Sequence, residues 1–204
     1  MLDLTKGEKG TRGSAALRAR EAAAAAKVLG IRKRFNLGLA DADIRNDWPA
    51  RHRMIRLLRA VCPELVVVPG HEQRHPDHSM TPKLVFDSCF FAGLRKIKPA
   101  LGDPFRPRKI LYAHSHYEPQ PPGFCVDVSR QFERKLASIR CYSSQFPPHQ
   151  DPKSGAFSPP RVLSWIADYN RHYGHLIGAD YAEPYSQREM LEVDDVMKLK
   201  GHSM

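Results

Sequence analysis

Apolar and polar positions along the chain change period several times, and each change marks an element. Leu2 and Leu4 flank Asp3, so residues 2–5 read as the end of a strand. The glycines at 7, 10 and 13 make the following stretch a loop. Ser14 has the chemistry of an N-cap, and the Ala-rich run behind it predicts a helix to about Leu29, closed by Gly30. Residues 32–37 fit a strand, and residues 41–47 are a polar connection. Trp48 to Val61 has helical spacing, with Ile55, Leu58 and Val61 on one face and Pro63 as the stop. The run Leu65-Val66-Val67-Val68 is apolar at every position, which predicts a strand covered on both faces, as in a parallel sheet.

The second half continues in the same manner. A loop over residues 70–74 leads into a helix that starts near Pro76 and runs to about Leu94. Residues 109–113 predict a strand, residues 118–123 a Pro-rich loop, and residues 124–128 another strand. Helices follow over 129–142 and 162–177, separated by a polar, Pro-rich stretch at 147–160 that reads as a mobile surface loop. Residues 181–185 form a last extended piece, and 196–204 read as a tail. No internal repeat is visible. Alternating strands and helices predict one α/β domain over 1–204 with a mainly parallel sheet. Sites in such sheets form at the carboxyl ends of strands, which points to the loops at 6–13 and 70–78.

Composition narrows the class only a little. Hydrophobic residues are 42% and charged residues 26% of 204, ordinary for a soluble globular domain. No apolar run reaches the ~20 residues of a membrane span, and no signal-peptide pattern opens the chain, so no membrane partner is expected. The four cysteines form no C-x-x-C pair and read as reduced, buried thiols, which makes the cytoplasm the expected location. The net charge of +10 is spread over scattered Lys and Arg residues. Without a zinc-finger, RNA-binding or heptad signature, such charge supports only non-specific nucleic-acid binding. A basic rim equally suits a small anionic substrate.

The chemistry concentrates in Arg74-His75-Pro76-Asp77-His78, just past the apolar strand. Pro76 suits a first helical turn, and histidines three positions apart share a face there. Neutral imidazole is a common zinc ligand, and an adjacent carboxylate orients it or keeps a neighbour protonated. The competing reading is a polar helix cap with exposed histidines, since one His-x-x-His is not a metal site by itself. His114 and His116 alternate at the end of a strand, and His71 precedes the motif; all three read as exposed loop histidines. Tyr142 and Trp165 read as packing residues.

The segment EQRHPDH, following LVVVP, resembles the second signature of the LmbE / PIG-L family of zinc-dependent N-deacetylases. The segments DLTKGEKGTRGS, LRAREAAAAAKVLG, FFAGLRK, FCVDVS, CYSSQF and YAEPY resemble the bacillithiol-biosynthesis branch, whose members remove acetate from N-acetylglucosaminyl-malate. This resemblance covers nearly the whole chain outside the loops and the tail. It implies an LmbE-like, Rossmann-like three-layer sandwich acting on a small N-acetylated amino-sugar substrate, with a homo-oligomer compatible. It implies zinc as cofactor, with iron(II) also compatible with His and Asp ligands. His78 matches the family's later metal ligand, His75 the histidine that stabilises the oxyanion, and Asp77 its carboxylate partner. Arg18 matches a substrate-holding arginine, although its spacing to Glu21 equally permits an ordinary helical ion pair. Glu8 and Arg12 in the mouth-forming loop, and Arg74 beside the histidines, are further substrate-binding candidates.

Two departures stand out. The family's early Ala-His-Pro-Asp-Asp motif has no counterpart here, which removes two of three metal ligands and the general base. The expectation is therefore an N-terminally truncated domain lacking its first strand and helix, on the order of 30–40 residues, and inactive by itself. Some relatives carry a tyrosine where this chain has Arg161-Val162-Leu163, so no tyrosine is assigned to the site. The leading expectation is a deacetylase of an amino-sugar conjugate. The alternatives are a deacetylase of another N-acetyl sugar or of lipid-linked glucosamine, and an inactive remnant or basic α/β binding module.

Overall fold

The structure, a computed structural model, describes residues 1–115, 121–146 and 159–200. Local chemistry sets the first helix. In α1 (Ala15–Leu29) the Ser14 side chain accepts the Leu17 N–H. At the other end Gly30 turns left-handed at φ 70°, and its N–H reaches the Ala26 and Lys27 carbonyls. α1 follows the short strand β1 (Leu2–Asp3) and precedes β2 (Phe35–Asn36), which pairs with β1 in parallel. α2 (Trp48–Val61) is capped by Asp47, whose side chain accepts the Ala50 N–H. Ile55 and Leu58 are buried as the spacing predicts, but Val61, at the last turn, is exposed.

β3 (Leu65–Pro69), α3 (Pro76–Ala92) and β4 (Lys109–Ala113) form a crossover unit in which β3 and β4 pair in parallel. Between α3 and β4 the buried Arg59 of α2 donates to the carbonyls of Ala92, Leu94, Ile97, Lys98 and Gly102, so one guanidinium organises that connection. β5 (Phe124–Asp127) is followed by a short 3-10 turn, α4 (Phe132–Arg140), α5 (Pro159–Leu176) and β6 (Ala182–Ser186). The larger sheet has the order β3-β4-β6-β5. β6 lies antiparallel to both β4 and β5, so β3, β4 and β5 share one direction and β6 alone is reversed. The α/β expectation with a mainly parallel sheet holds, with β6 as the antiparallel member.

The main core joins Met54, Ile55 and Leu58 of α2, Val85, Cys89 and Ala92 of α3, Val68 of β3 and Tyr112 of β4. Leu2, Leu4 and Val66 pack at its margin. α1 packs against α4, and α5 against β5 and β6. β3 corrects one expectation. Val68 is buried, but Leu65 and Val67, on the alternate face, are 48% and 51% exposed. Among the described residues β3 is an edge strand paired only with β4, and the exposure of Leu65 and Val67 shows that face to be open. The cysteines correct another. All four are free, but Cys62 caps α2 on the surface while Cys89 is buried, its thiol pushed up to about 12 by burial. No helix among the described residues is long and apolar enough to cross a membrane.

Candidate functional site

The loop after β3 is held at both ends. The Gly70 N–H donates to the Ala113 carbonyl. The Ser79 hydroxyl, one turn into α3, accepts the Gln73 N–H at 3.0 Å and donates to the Gln73 carbonyl at 3.1 Å. Between these anchors His75 is the N-cap of α3 in extended conformation, and its Nδ1 accepts the Asp77 N–H at 3.2 Å. Pro76 occupies the first turn, where its missing N–H is no loss. The bond to Nδ1 leaves the neutral His75 ring with its proton on Nε2, the nitrogen free to donate outward. His78 lies one turn on, its ring centroid 5.1 Å from that of His75. Pro82, buried inside α3, has no N–H to return to the His78 carbonyl. Burial lowers the His78 pKa from its ordinary value, His75 lowers it further, and Asp77 opposes both.

His75, Asp77 and His78 line one cleft of about 800 Å³ together with Arg18, Tyr142, Asp41 and residues 2–7. The cleft opens at the carboxyl ends of β1 and β3, where the strand-end rule puts it. Arg18, on the second turn of α1, lies with its guanidinium carbon 5.0 Å from the Tyr142 ring centre. Its Nη1 stands 3.6 Å from Glu21 and is enclosed without a hydrogen bond. Glu21 is buried, and accepts the Ser144 N–H at 2.7 Å and the Ser144 and Ser143 hydroxyls at 2.8 and 3.3 Å. Burial raises its carboxyl pKa, but these donors and Arg18 outweigh burial and hold it below the usual carboxylate value. Arg18 therefore faces the cleft and is ion-paired to Glu21 as well.

Asp77 is placed differently from the reading that made it the carboxylate partner of His75. It meets His75 through its backbone N–H. Its carboxylate instead accepts the Ala42 and Ile44 N–H groups at 2.8 and 3.1 Å. Glu8, Arg12 and Arg74 do not line the cleft. Glu8 borders a neighbouring hollow and accepts the Asp41 and Lys6 N–H groups; Arg12 offers its carbonyl to the Gln145 side chain; Arg74 is exposed. The His71 ring lies tilted against that of Tyr112, centroids 4.5 Å apart, and His114 Nε2 is 2.9 Å from the Ser186 hydroxyl. His116 lies outside the described residues, as do 118–120, most of 147–160 and the end of the tail. Tyr142, read as packing, is a cleft wall: it carries Arg18 on its ring, and its hydroxyl accepts from Arg34, which also clasps Asp3. Asp41 and Ser144 escaped the sequence reading, and Glu21 was read only as a helical ion-pair partner of Arg18. The Arg18–Glu21 spacing was the one available signal, because Ser144 lies 123 residues from Glu21.

A catalytic zinc takes three protein ligands and keeps an open position for water. Among the described residues no group of three His, Cys, Asp or Glu side chains could hold a metal ion. His78 has the His75 ring beside it, and the Asp77 oxygens are committed to backbone N–H groups. These residues alone do not fit a catalytic metal.

The α/β order, the strand-end cleft and the histidine pair at a helix start define an LmbE-like domain. Residues 1–89 match the family model described as PIG-L, GlcNAc-PI de-N-acetylase. The chain resembles a solved conserved protein of Thermus thermophilus at 32% identity and TM-score 0.82, covering 95% of this chain and 83% of that one. It belongs to the PIG-L family. It also resembles the diacetylchitobiose deacetylase of Thermococcus kodakarensis, 29% identical over 88% of this chain, and spans 65% of that relative's length. A solved N,N'-diacetylchitobiose deacetylase from Pyrococcus horikoshii, complexed with its inhibitor MPG, is 26% identical with TM-score 0.76, covering 90% of this chain and 70% of that one.

Proposed function

We propose that this domain serves hydrolysis of the N-acetyl group of a small glucosamine-type conjugate in the cytoplasm. The observation that carries the reading is one cleft holding His75, His78 and Arg18 at the carboxyl ends of β1 and β3, in a chain of the PIG-L family. Amide hydrolysis passes through a tetrahedral oxyanion, and a donor aimed at that oxygen lowers the barrier. His75 has its Nδ1 occupied and its Nε2 proton available for that role. Arg18, stiffened by Glu21 and Tyr142, holds the substrate. His78 is the residue of this chain that would contribute to holding a zinc or iron(II) ion, and its preference for the neutral ring would suit a nitrogen that must offer a lone pair. The family resemblance implies that the remaining ligands and the water-activating base would be supplied by an Ala-His-Pro-Asp-Asp motif, which this sequence does not contain.

The substrate we favour is N-acetylglucosaminyl-malate of bacillithiol biosynthesis, from the resemblance of the loop and helix segments. The two diacetylchitobiose deacetylases among the relatives make diacetylchitobiose the competing substrate. Acetate release from both compounds, by the chain joined to a segment with the Ala-His-Pro-Asp-Asp motif, separates them. Release from the malate conjugate at least tenfold faster supports the first substrate; the reverse order supports the second. No release from either leaves the remnant reading standing. The 204 residues alone are expected to release no acetate, and chelator-sensitive release by them would overturn the assignment of the missing ligands.

A further inference from the structure

Asp77 is buried, at 6% exposure, at the floor of the cleft. A buried carboxylate needs its lone pairs satisfied. Both oxygens find backbone donors on one distant segment: Oδ2 takes the Ala42 N–H and Oδ1 the Ile44 N–H. Ala42 is a non-glycine residue in the left-handed region at φ 59°, a conformation that surrounding contacts must hold. Ile44 packs into a small cluster with Ala50 and Leu84, which seats the turn.

The same turn grips the 6–13 loop at the mouth. Asp41 accepts the Thr5 hydroxyl at 3.1 Å on one oxygen and the Lys9 N–H at 2.8 Å on the other. In return Glu8 accepts the Asp41 N–H at 3.0 Å. Thr5 accepts the Gly7 N–H, and Gly7 rests on the Arg18 side chain, where an added Cβ would sit 3.4 Å from its Nε. One chain of hydrogen bonds therefore runs from the start of α3 to the mouth and ends against Arg18.

We propose that Asp77 is a positioning residue for the mouth loop: by fixing the Ala42–Ile44 turn it sets Asp41, and through Asp41 the 6–13 loop and the Arg18 side of the cleft. It acts on ligand binding through that loop and not by orienting the His75 ring. The proposal rests on the deacetylase reading only for the identity of the ligand.

The test uses the full chain and two variants. Asp77→Asn keeps volume and one acceptor but turns an NH₂ group toward one of the two N–H donors. Amide exchange at Ala42 and Ile44 is expected to rise about tenfold, the scale of one lost net hydrogen bond, and exchange at Lys9 to rise with it. The nitrogen resonances of the His75 ring should keep the pattern of a proton on Nε2. Asp41→Ala cuts the outer link: Lys9 exchange should rise while Ala42 and Ile44 stay protected. Affinity for N-acetylglucosamine should fall several-fold in both variants, although Asp41→Ala leaves the thermal midpoint near that of the unaltered chain. Unchanged Lys9 exchange in Asp41→Ala would overturn the proposal even if Asp77→Asn does not fold. A shifted His75 tautomer with unchanged Ala42 and Ile44 exchange in Asp77→Asn would overturn it as well. If the unaltered chain binds no N-acetylglucosamine, the deacetylase reading fails, and the exchange rates still decide the role of Asp77.

Discussion

Glu21 and His78 show how single residues tie the cleft to pH. The folded Glu21 carboxyl lies below its ordinary 4.5, because Ser144, Ser143 and Arg18 outweigh its burial. A depressed folded pKa gives stability that is present above the unfolded value and lost as pH falls through the folded one. Thermal midpoints are therefore expected to decline as pH drops below 4.5, and Glu21→Gln should flatten that decline while keeping the Ser144 N–H bond. Equal slopes in the two proteins would mean that Glu21 is not held ionised. The same sign applies to His78: its neutral form is favoured above 6.5, and that contribution disappears as pH falls toward the lowered folded value. In the chain joined to the motif-bearing segment, His78→Ala should abolish metal retention. His75→Ala should spare the metal and lower kcat by roughly 10²–10³, the scale of one lost oxyanion donor. Metal analysis and steady-state kinetics check both. The two histidines were legible because they share one turn, whereas Glu21 meets Ser144 only across 123 intervening positions.

At the level of elements, β3 carries the sharpest contrast. Val68 is 5% exposed in the main core, and Val67 is 51% exposed beside it. Val68→Ala removes two buried carbon groups and leaves a cavity, a cost of about 2 kcal/mol. Val67→Thr should cost under ~0.5 kcal/mol, as surface substitutions do. Urea unfolding of the two variants measures the difference, and equal losses would mean that the second face of β3 is covered after all. Helix ends were legible from composition because capping is a local bond: Ser14 reaches Leu17, and Gly30 supplies the left-handed residue. The exposure of β3 was not legible, since an apolar run states what a strand prefers and not what lies against it.

On the scale of the whole molecule, β1–β2 and β3-β4-β6-β5 are separate sheets among the described residues, and β1 and β3 are each paired there on one side only. The half-exposed Leu65 and Val67 on an open strand edge make that edge a template for self-association. Val67→Lys should raise the concentration at which light scattering first detects aggregates, without conferring acetate release. Joining a segment with a strand and the Ala-His-Pro-Asp-Asp motif should change three readouts together: dispersity, metal retention and hydrolysis. Improved dispersity without metal retention would show that the added segment covers the β3 edge but that His78 is not a ligand.

Local periodicity and turn chemistry determined the α/β class, the bounds of α2 and β4, the caps of α1 and the histidine pair, because each depends on neighbours within one or two turns. Only the tertiary structure decided that β6 runs reversed between β4 and β5, that β3 keeps one open face, and that Asp77 serves the Ala42–Ile44 turn. Those outcomes depend on which distant segments meet. The bonds from Asp77 to Ala42 and Ile44 span 35 and 33 positions. A pattern with a period of two or 3.6 residues carries no information at that range, because hydrogen-bond partners are chosen by the packed geometry and not by spacing along the chain.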